Sequence, residues 1–431
     1  MCTIGRRGLR TPTGSAAPAA PGRKAGGRTG GRIARVVLGV ILVAYALAAV
    51  VDLALHVERY QWDFATYYRA GQAARAGLNP YELDSLTEVA GTEVGFPFAY
   101  SPIVLPVFSL LSRLEFLWAY RLYLGLKVVS LGVLLVLWKV RFLDRDAGLP
   151  FYLVCIFGFG GAIYADLAAG NVSILEQLAL WLGFEALRRN RPILFSALVI
   201  AASLFKLTPI LFLLLLVAPG LPRRTGVLLA ALGAFVVVNG LTYLTAPGLY
   251  RDFLSVAPQL DDRGAINPST LALLRDLGDV LARKGLPVSV AVEWGVYAAF
   301  AGGVALVTGL ALRRRGGEDS RFPILLACLA FALVMPRFKN YAYILLLPPA
   351  YFVLRRMVEA GAGSLGLILL LLSQTPPAPF GLGEAIGNLF WGYYPWLLAL
   401  GLWAAAVAWL LRGSAAAPRR AELLGVQEGG A

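Results

Sequence analysis

Apolar residues along this chain come in long unbroken runs separated by short polar stretches. Runs of roughly 20 apolar residues are each long enough to cross a bilayer as a helix. A barrel strand would alternate apolar and polar positions, and these runs do not. The pattern predicts an all-α polytopic membrane protein with about 12 transmembrane helices, some of them short and broken. The runs are Ile33–Leu55, Trp118–Trp138, Leu149–Ala165, Val172–Leu187, Ile193–Phe205, Ile210–Val217, Gly226–Leu244, Glu293–Leu312, Phe322–Met335, Tyr341–Leu354, Ser364–Leu372 and Trp391–Leu411. A further piece, Pro102–Leu111, is too short to cross and reads as a dipping helix. The arms Ile193–Phe205 and Ile210–Val217 are each short for a span, and broken helices of that kind are tolerated where they line a cavity.

The polar stretches give the runs a direction. Cytoplasmic flanks carry an excess of Lys and Arg. Residues 1–35 hold eight basic residues and no acidic one, which predicts a disordered cytoplasmic tail over 1–32. A cleaved signal peptide fits poorly, because the first apolar run is long and its leader extended. Arg188-Arg189, Arg223-Arg224, Arg313–Arg315, Arg355-Arg356 and Arg412 then fall on the same side. Two longer stretches fall outside: 56–100, with six acids against three bases, and 246–292, with a turn at Asn267-Pro268-Ser269. The transmembrane domain is expected over 33–412, followed by a second disordered cytoplasmic tail over 413–431.

Composition narrows the function. Only 15% of residues are charged, where a soluble domain carries about 25%. The net charge of +14 does not signal nucleic acid, since the bases sit in the tail and between apolar runs. One histidine and three scattered cysteines give no metal-ligand spacing, so no metal site is expected. Asp261-Asp262 reads as a solvated loop pair.

The residues able to carry chemistry collect in the outward stretches. Asp63, in Trp62-Asp63-Phe64-Ala65-Thr66-Tyr67-Tyr68, is either the N-cap of the next helix or a general base taking a proton from a sugar hydroxyl. Tyr67 and Tyr68, with Trp62, are either an interfacial aromatic belt or a surface on which a sugar stacks. Asn79-Pro80-Tyr81 is a turn that returns the chain toward Asp63, and Tyr100-Ser101-Pro102 closes the loop in the same way. Asn171 follows Gly170 on an external turn, where a helix cap is an equal reading. Lys206, between two apolar arms, is either snorkelling or a counter-charge for a phosphate. Arg337 and Lys339, with Asn340 beside them, break the charge rule by lying outside. They pair with a loop acid or form an anion site.

In this order, Asp63–Tyr68, Gly77–Tyr81, Tyr100–Pro102, Gly170–Val172, Lys206–Pro209 and Pro336–Tyr343 resemble a bacterial family of polyprenol-phosphate-mannose-dependent α-mannosyltransferases. The resemblance spans roughly residues 35–410. That family often has Gly-Gln where this chain has Gly170-Asn171, and a His or Trp where it has Arg337-Phe338-Lys339. The resemblance implies a GT-C glycosyltransferase fold in a bacterial plasma membrane, with both termini cytoplasmic and the active site external. It implies Asp63 as base and a hexose, mannose by default, moved with inversion from a polyprenyl-phospho-sugar donor. The acceptor is then a glycolipid or glycan, with no further cofactor and no nucleic-acid partner. Lys206, Arg337 and Lys339 are expected near the donor phosphate.

Two other classes compete: a transporter or flippase of a lipid-linked sugar, and a non-catalytic subunit of envelope assembly. Polar residues concentrated at one face favour an enzyme, since transporters carry ionisable residues at mid-membrane.

Overall fold

The computed structural model describes residues 26–143, 147–256, 259–260, 262–315, 319–361 and 384–423. Among them there is no strand. The chain divides after Tyr45. The first unit's described residues are the N-terminal part of helix α1, Gly26–Leu55, and the second unit holds everything from Ala46 onward.

In that second unit α2 (Trp62–Ala76) and α3 (Leu83–Ala90) form the first outward stretch. A 3₁₀ turn at Pro102–Val104 leads into α4 (Leu105–Leu111). The next helices are α5 (Phe116–Leu137), α6 (Leu149–Ala169), α7 (Ser173–Arg188) and α8 (Pro192–Phe205). After a 3₁₀ segment, Thr208–Val217, come α9 (Thr225–Thr245), α10 (Pro247–Val256) and α11 (Thr270–Arg283). The rest is α12 (Val290–Arg315), α13 (Arg321–Val334), a 3₁₀ segment Asn340–Leu346, α14 (Leu347–Glu359) and α15 (Glu384–Leu423).

Among the described residues, nearly every apolar run is helical. Six are long and apolar enough to cross a membrane: Val36–Leu55, Phe116–Phe142, Leu149–Ala169, Thr225–Thr245, Val290–Arg314 and Trp391–Leu411. The other described runs form shorter elements, in keeping with an expectation that includes short, broken helices. Proline is one cause. Pro209 opens a ten-residue 3₁₀ segment, and Pro348-Pro349 divide Asn340–Leu346 from α14. A 3₁₀ rise of about 2.0 Å per residue lets Thr208–Val217 reach about as far as the longer α8, which completes a shallow out-and-back pair. Helix α6 is broken at Gly158–Gly161, where Phe159, Gly160 and Gly161 have φ of 53°, 74° and 74°. Pro102–Leu111 is the short helix expected, packed on α2. Ser364–Leu372, residues 1–25 and residues 424–431 lie outside the described residues. Both helical ends reach into the expected tails, α1 starting at Gly26 and α15 running to Leu423.

The stretch 56–100 is a folded cap with its own core. Helix α2 is a wedge between two apolar clusters. Phe64 and Tyr68, four apart and so on one face, join the main core with Tyr120, Tyr123, Trp138 and Trp181. Tyr67, Ala70 and Ala73, on the neighbouring face, join a second core with Tyr81, Phe98, Leu105 and Phe108. Helix α4 approaches α2 at Gly71, where a Cβ would sit 2.4 Å from the Phe108 carbonyl oxygen. Backbone cannot yield there as a side chain could. Gly71→Ala is therefore expected to destabilise the protein by about 1–3 kcal/mol, read as a lowered thermal midpoint in detergent. An unchanged midpoint would show that the two helices are not locked at this point.

Candidate active site

The site is assembled where the N-termini of α2 and α7 meet the C-terminus of α8. Gln61 sets the entry to α2. Its backbone is left-handed (φ 70°), its N–H donates to Ala168 O at 2.7 Å and its Nε2 to Leu167 O at 2.7 Å. Gln61 thus occupies the cap position itself, and α2 begins at Trp62. Asp63 falls inside the first turn and is not the N-cap, so the capping reading gives way. Its carboxylate remains at the positive end of the helix dipole.

The partner of Asp63 comes from the turn between α6 and α7. Gly170 (φ 69°) must be glycine: a Cβ there would lie 2.3 Å from Gln61 Oε1 and 2.7 Å from Phe64 Cβ. This contact brings Asn171 over α2. Asn171 Nδ2 donates to Asp63 Oδ2 at 2.6 Å and lies 3.0 Å from the Tyr67 hydroxyl and 3.1 Å from that of Tyr100. Those two hydroxyls are 2.7 Å apart. On the other side, Asn171 Oδ1 accepts from Ser173 N at 3.1 Å, Ser173 Oγ at 2.9 Å and Lys206 Nζ at 3.2 Å. The cap position of α7 is Val172, and Asn171, one residue before it, bonds the N–H of Ser173 with one end of its amide and faces Asp63 with the other.

Lys206 ends α8, where a cation meets the negative end of the dipole. Its ammonium also donates to Ser173 Oγ at 2.6 Å and pairs with Glu176 at 3.0 Å. The Tyr341 ring lies 5.2 Å from Lys206 Nζ and 5.9 Å from Lys339 Nζ, joining this cluster to a second one. There Arg337 and Lys339 share the Asp262 carboxylate, Lys339 at 3.0 Å. Half-burial alone raises the Asp262 carboxyl, but Lys339 and Arg337 beside it hold it below the usual aspartate range. Asp262 is therefore a counter-ion and not a solvated loop residue. The turn at Asn267-Pro268-Ser269 stitches this segment down: Asn267 Oδ1 accepts from Phe338 N at 2.7 Å, and Tyr343 donates to Pro268 O at 2.6 Å.

Burial raises the Asp63 carboxyl above the ordinary aspartate value, against the pull of the Asn171 amide and of Lys339, Lys206 and Lys127. Lys127 lies beneath the site on α5, fully buried, and pairs with Asp166 of α6 at 2.9 Å. It also donates to Asp166 O at 2.6 Å, the same carbonyl that accepts from Gly170 N and Asn171 N. The pair thus anchors the turn that carries Asn171.

Four expected residues are not brought to this cluster. Tyr68 turns its hydroxyl to Leu114 O at 2.7 Å, within the core. Asn79 bonds Glu82 and Asp252, each at 2.9 Å, which ties the two outward stretches together. Tyr81 is one layer back, donating to Tyr100 O at 2.7 Å. Asn340 bonds only the next backbone N–H, that of Tyr341, at 2.8 Å. Gln61, Lys127, Asp166, Ser173, Glu176 and Tyr341 were not expected. Lys127 and Asp166 carried a readable signal, since each is an ionisable residue inside an apolar helix. Among the described residues no three His, Cys, Asp or Glu side chains are placed to hold a metal ion.

An apolar groove of about 530 Å³ is lined by Pro102, Ile103, Leu105, Leu241, Thr245 and Leu249 among others. At the far end of α7, Glu185 gathers Arg141, Arg188 and Arg189. A helix of this length places the two ends roughly 24 Å apart.

Long apolar helices and a sugar-transfer family together define the class: the chain is a membrane glycosyltransferase. It belongs to glycosyltransferase family 87, whose family model matches residues 98–336, more than half of the chain. Tyr100, Asn171, Lys206 and Asp262 lie within the match, Asp63 and Tyr67 ahead of it, and Arg337 and Lys339 just beyond it. Comparison with curated proteins and with solved structures gives no match.

The Lys127–Asp166 pair yields a prediction. Lys127→Met alone leaves a buried carboxylate unpaired and is expected to cost about 3–5 kcal/mol. Replacing both, Lys127→Met with Asp166→Leu, is expected to recover most of the lost thermal midpoint. A double variant no more stable than the single one would show that the ion pair is not what braces this turn.

Proposed function

We propose that this chain moves a hexose, mannose on the resemblance of its motifs, from a polyprenyl-phosphate donor to an envelope glycolipid or polysaccharide. Asp63 is the general base. The acceptor hydroxyl attacks the anomeric carbon, its proton passes to Asp63, and the glycosyl–phosphate bond breaks on the opposite side. The configuration inverts and polyprenyl phosphate leaves with the bonding pair. The observation that carries this reading is the half-buried Asp63 carboxylate itself. One of its oxygens is held by Asn171 at 2.6 Å, which leaves the other to take a proton.

The surroundings support each part. Arg337 and Lys339 share one carboxylate, so the trio keeps a net positive charge for the leaving phosphate. The Tyr67 and Tyr100 hydroxyls flank Asp63 with polar surface suited to a sugar. The apolar groove lined by Pro102, Leu105 and Leu241 suits a lipid chain. The basic cluster at the other end of α7 supports a site on the external face of a bacterial plasma membrane, with that cluster and both termini cytoplasmic. Family membership favours the transferase over the transporter and the assembly subunit.

The test is Asp63→Asn in membranes supplied with radiolabelled polyprenyl-phospho-mannose and analysed for labelled lipid and glycan. Loss of a base costs about 10²–10⁴-fold in rate. The variant is expected to fold normally. A carboxyl raised by burial stabilises the fold while protonated, and loses that contribution as pH rises through its folded value. At neutral pH the asparagine variant should therefore match or exceed the parent's thermal midpoint. Full transfer by Asp63→Asn would reject the base.

The same shift sets a pH dependence. Since the base must be ionised, transfer is expected to fall as pH drops through a value above the ordinary aspartate range, in a kcat/KM profile. A profile with its acid limb at the ordinary value or below would contradict the role given to burial.

A further inference from the structure

Lys206 stands out by the use its protons already have. An ammonium carries three N–H donors and no acceptor. Three acceptors surround Nζ: Ser173 Oγ at 2.6 Å, Glu176 Oε2 at 3.0 Å and Asn171 Oδ1 at 3.2 Å. Glu176 balances its charge. The ammonium is thus charge-balanced within the protein, in contrast to Arg337 and Lys339, which share one carboxylate.

What this lysine does follows from the amide it touches. The two ends of an asparagine side chain are nearly the same shape and differ only in hydrogen bonding. Around Asn171 Oδ1 stand three donors, from Ser173 N, Ser173 Oγ and Lys206 Nζ. Around Nδ2 stand the Asp63 carboxylate and the Tyr67 and Tyr100 hydroxyls. Turned over, the amide would press its carbonyl against a carboxylate and its N–H₂ against an ammonium. Ser173 N–H alone is a weak guard against that turn; the ammonium, itself fixed by Glu176, is a strong one.

We infer that Lys206 is a positioning residue: with Glu176 and Ser173 it locks the Asn171 side chain so that its N–H₂ faces Asp63, and it does not bind the donor phosphate. The chain of contacts runs Glu176, Lys206, Asn171, Asp63, across α7, α8 and α2. The inference rests on the reading of Asp63 as base for its meaning in the reaction, but its geometry is testable without turnover.

The probe is a hydrophobic carbodiimide, which modifies a carboxyl only when it is protonated. The full-length protein in detergent is treated across a pH series, and the Asp63 peptide is quantified by mass spectrometry. Lys127, Lys206, Lys339, Asp166, Tyr67, Tyr100, Tyr123 and Tyr341 are charged or titratable groups acting on or facing Asp63, and only one is changed at a time. Lys206→Met frees the amide, and the labelling midpoint should rise by about one pH unit or more, as expected on losing a hydrogen bond to a charged group. In an Asn171→Leu background the same Lys206→Met change should move the midpoint far less, because the intermediary is gone. Ser173→Ala, a milder change that keeps the lysine, should move it in the same direction by less. An equal Lys206→Met shift in both backgrounds would overturn the inference, since the lysine would then act by its charge alone. So would a Lys206→Met transfer defect confined to the donor KM, the mark of a phosphate ligand. Full transfer by Asp63→Asn strikes instead at the base, and leaves the carbodiimide result standing.

Discussion

One side-chain amide holds this site together. Asn171 faces donors on one edge and acceptors on the other, and it joins α2 to the turn between α6 and α7. Remove it and Asp63 has no partner, the paired tyrosines lose their shared donor, and Lys206 loses its link to Asp63. The backbone around it is built to the same end. Gly170 lets the turn touch Gln61 and Phe64, and the Asp166 carbonyl gathers the N–H groups of Gly170 and Asn171 with the ammonium of Lys127.

That arrangement explains why ionisable groups are buried at all in a chain this apolar. Each is expensive to desolvate alone. Here they come in paired sets: Lys127 with Asp166 and Lys206 with Glu176, each balanced, and Arg337 and Lys339 sharing Asp262 with one positive charge left over. Asp63 is the exception. Its carboxylate is held by a neutral amide and by cations committed elsewhere, so burial governs it. A carboxylate so placed is readier to accept a proton than one in an ion pair, as a general base requires.

How much of this could be read from the chain alone differs by element. Inside the chain the apolar runs mark where the helices lie, because continuous hydrophobicity over that length has few other structures, while the two end helices run on past them. Length did not give the breaks: the kink at Gly158–Gly161 and the 3₁₀ run after Pro209 depend on local backbone choices. Asp63, Tyr67, Tyr100, Asn171 and Lys206 were all singled out from sequence and are brought together across more than a hundred positions. Tyr68 and Asp63 show the limits. Which tyrosine of a Tyr-Tyr pair faces the site depends on the rotation of α2. Whether Asp63 caps depends on Gln61 adopting a left-handed backbone, which no local pattern announces. Glu176 and Ser173 carry no signal in the sequence, and only the end of α8 gives them a lysine to hold.

The proposed reaction requires the scissile linkage to lie between the Asp63 carboxylate and the Arg337–Lys339 pair. A cryo-electron microscopy structure of the full chain in lipid nanodiscs with a polyprenyl-phospho-mannose analogue tests this directly. The account predicts the phosphate on Arg337 and Lys339, the Asp63 oxygen opposite Oδ2 turned to the acceptor side of the sugar, and Lys206 still bonded to Asn171. A phosphate bound to Lys206, or a sugar out of reach of Asp63, would contradict it.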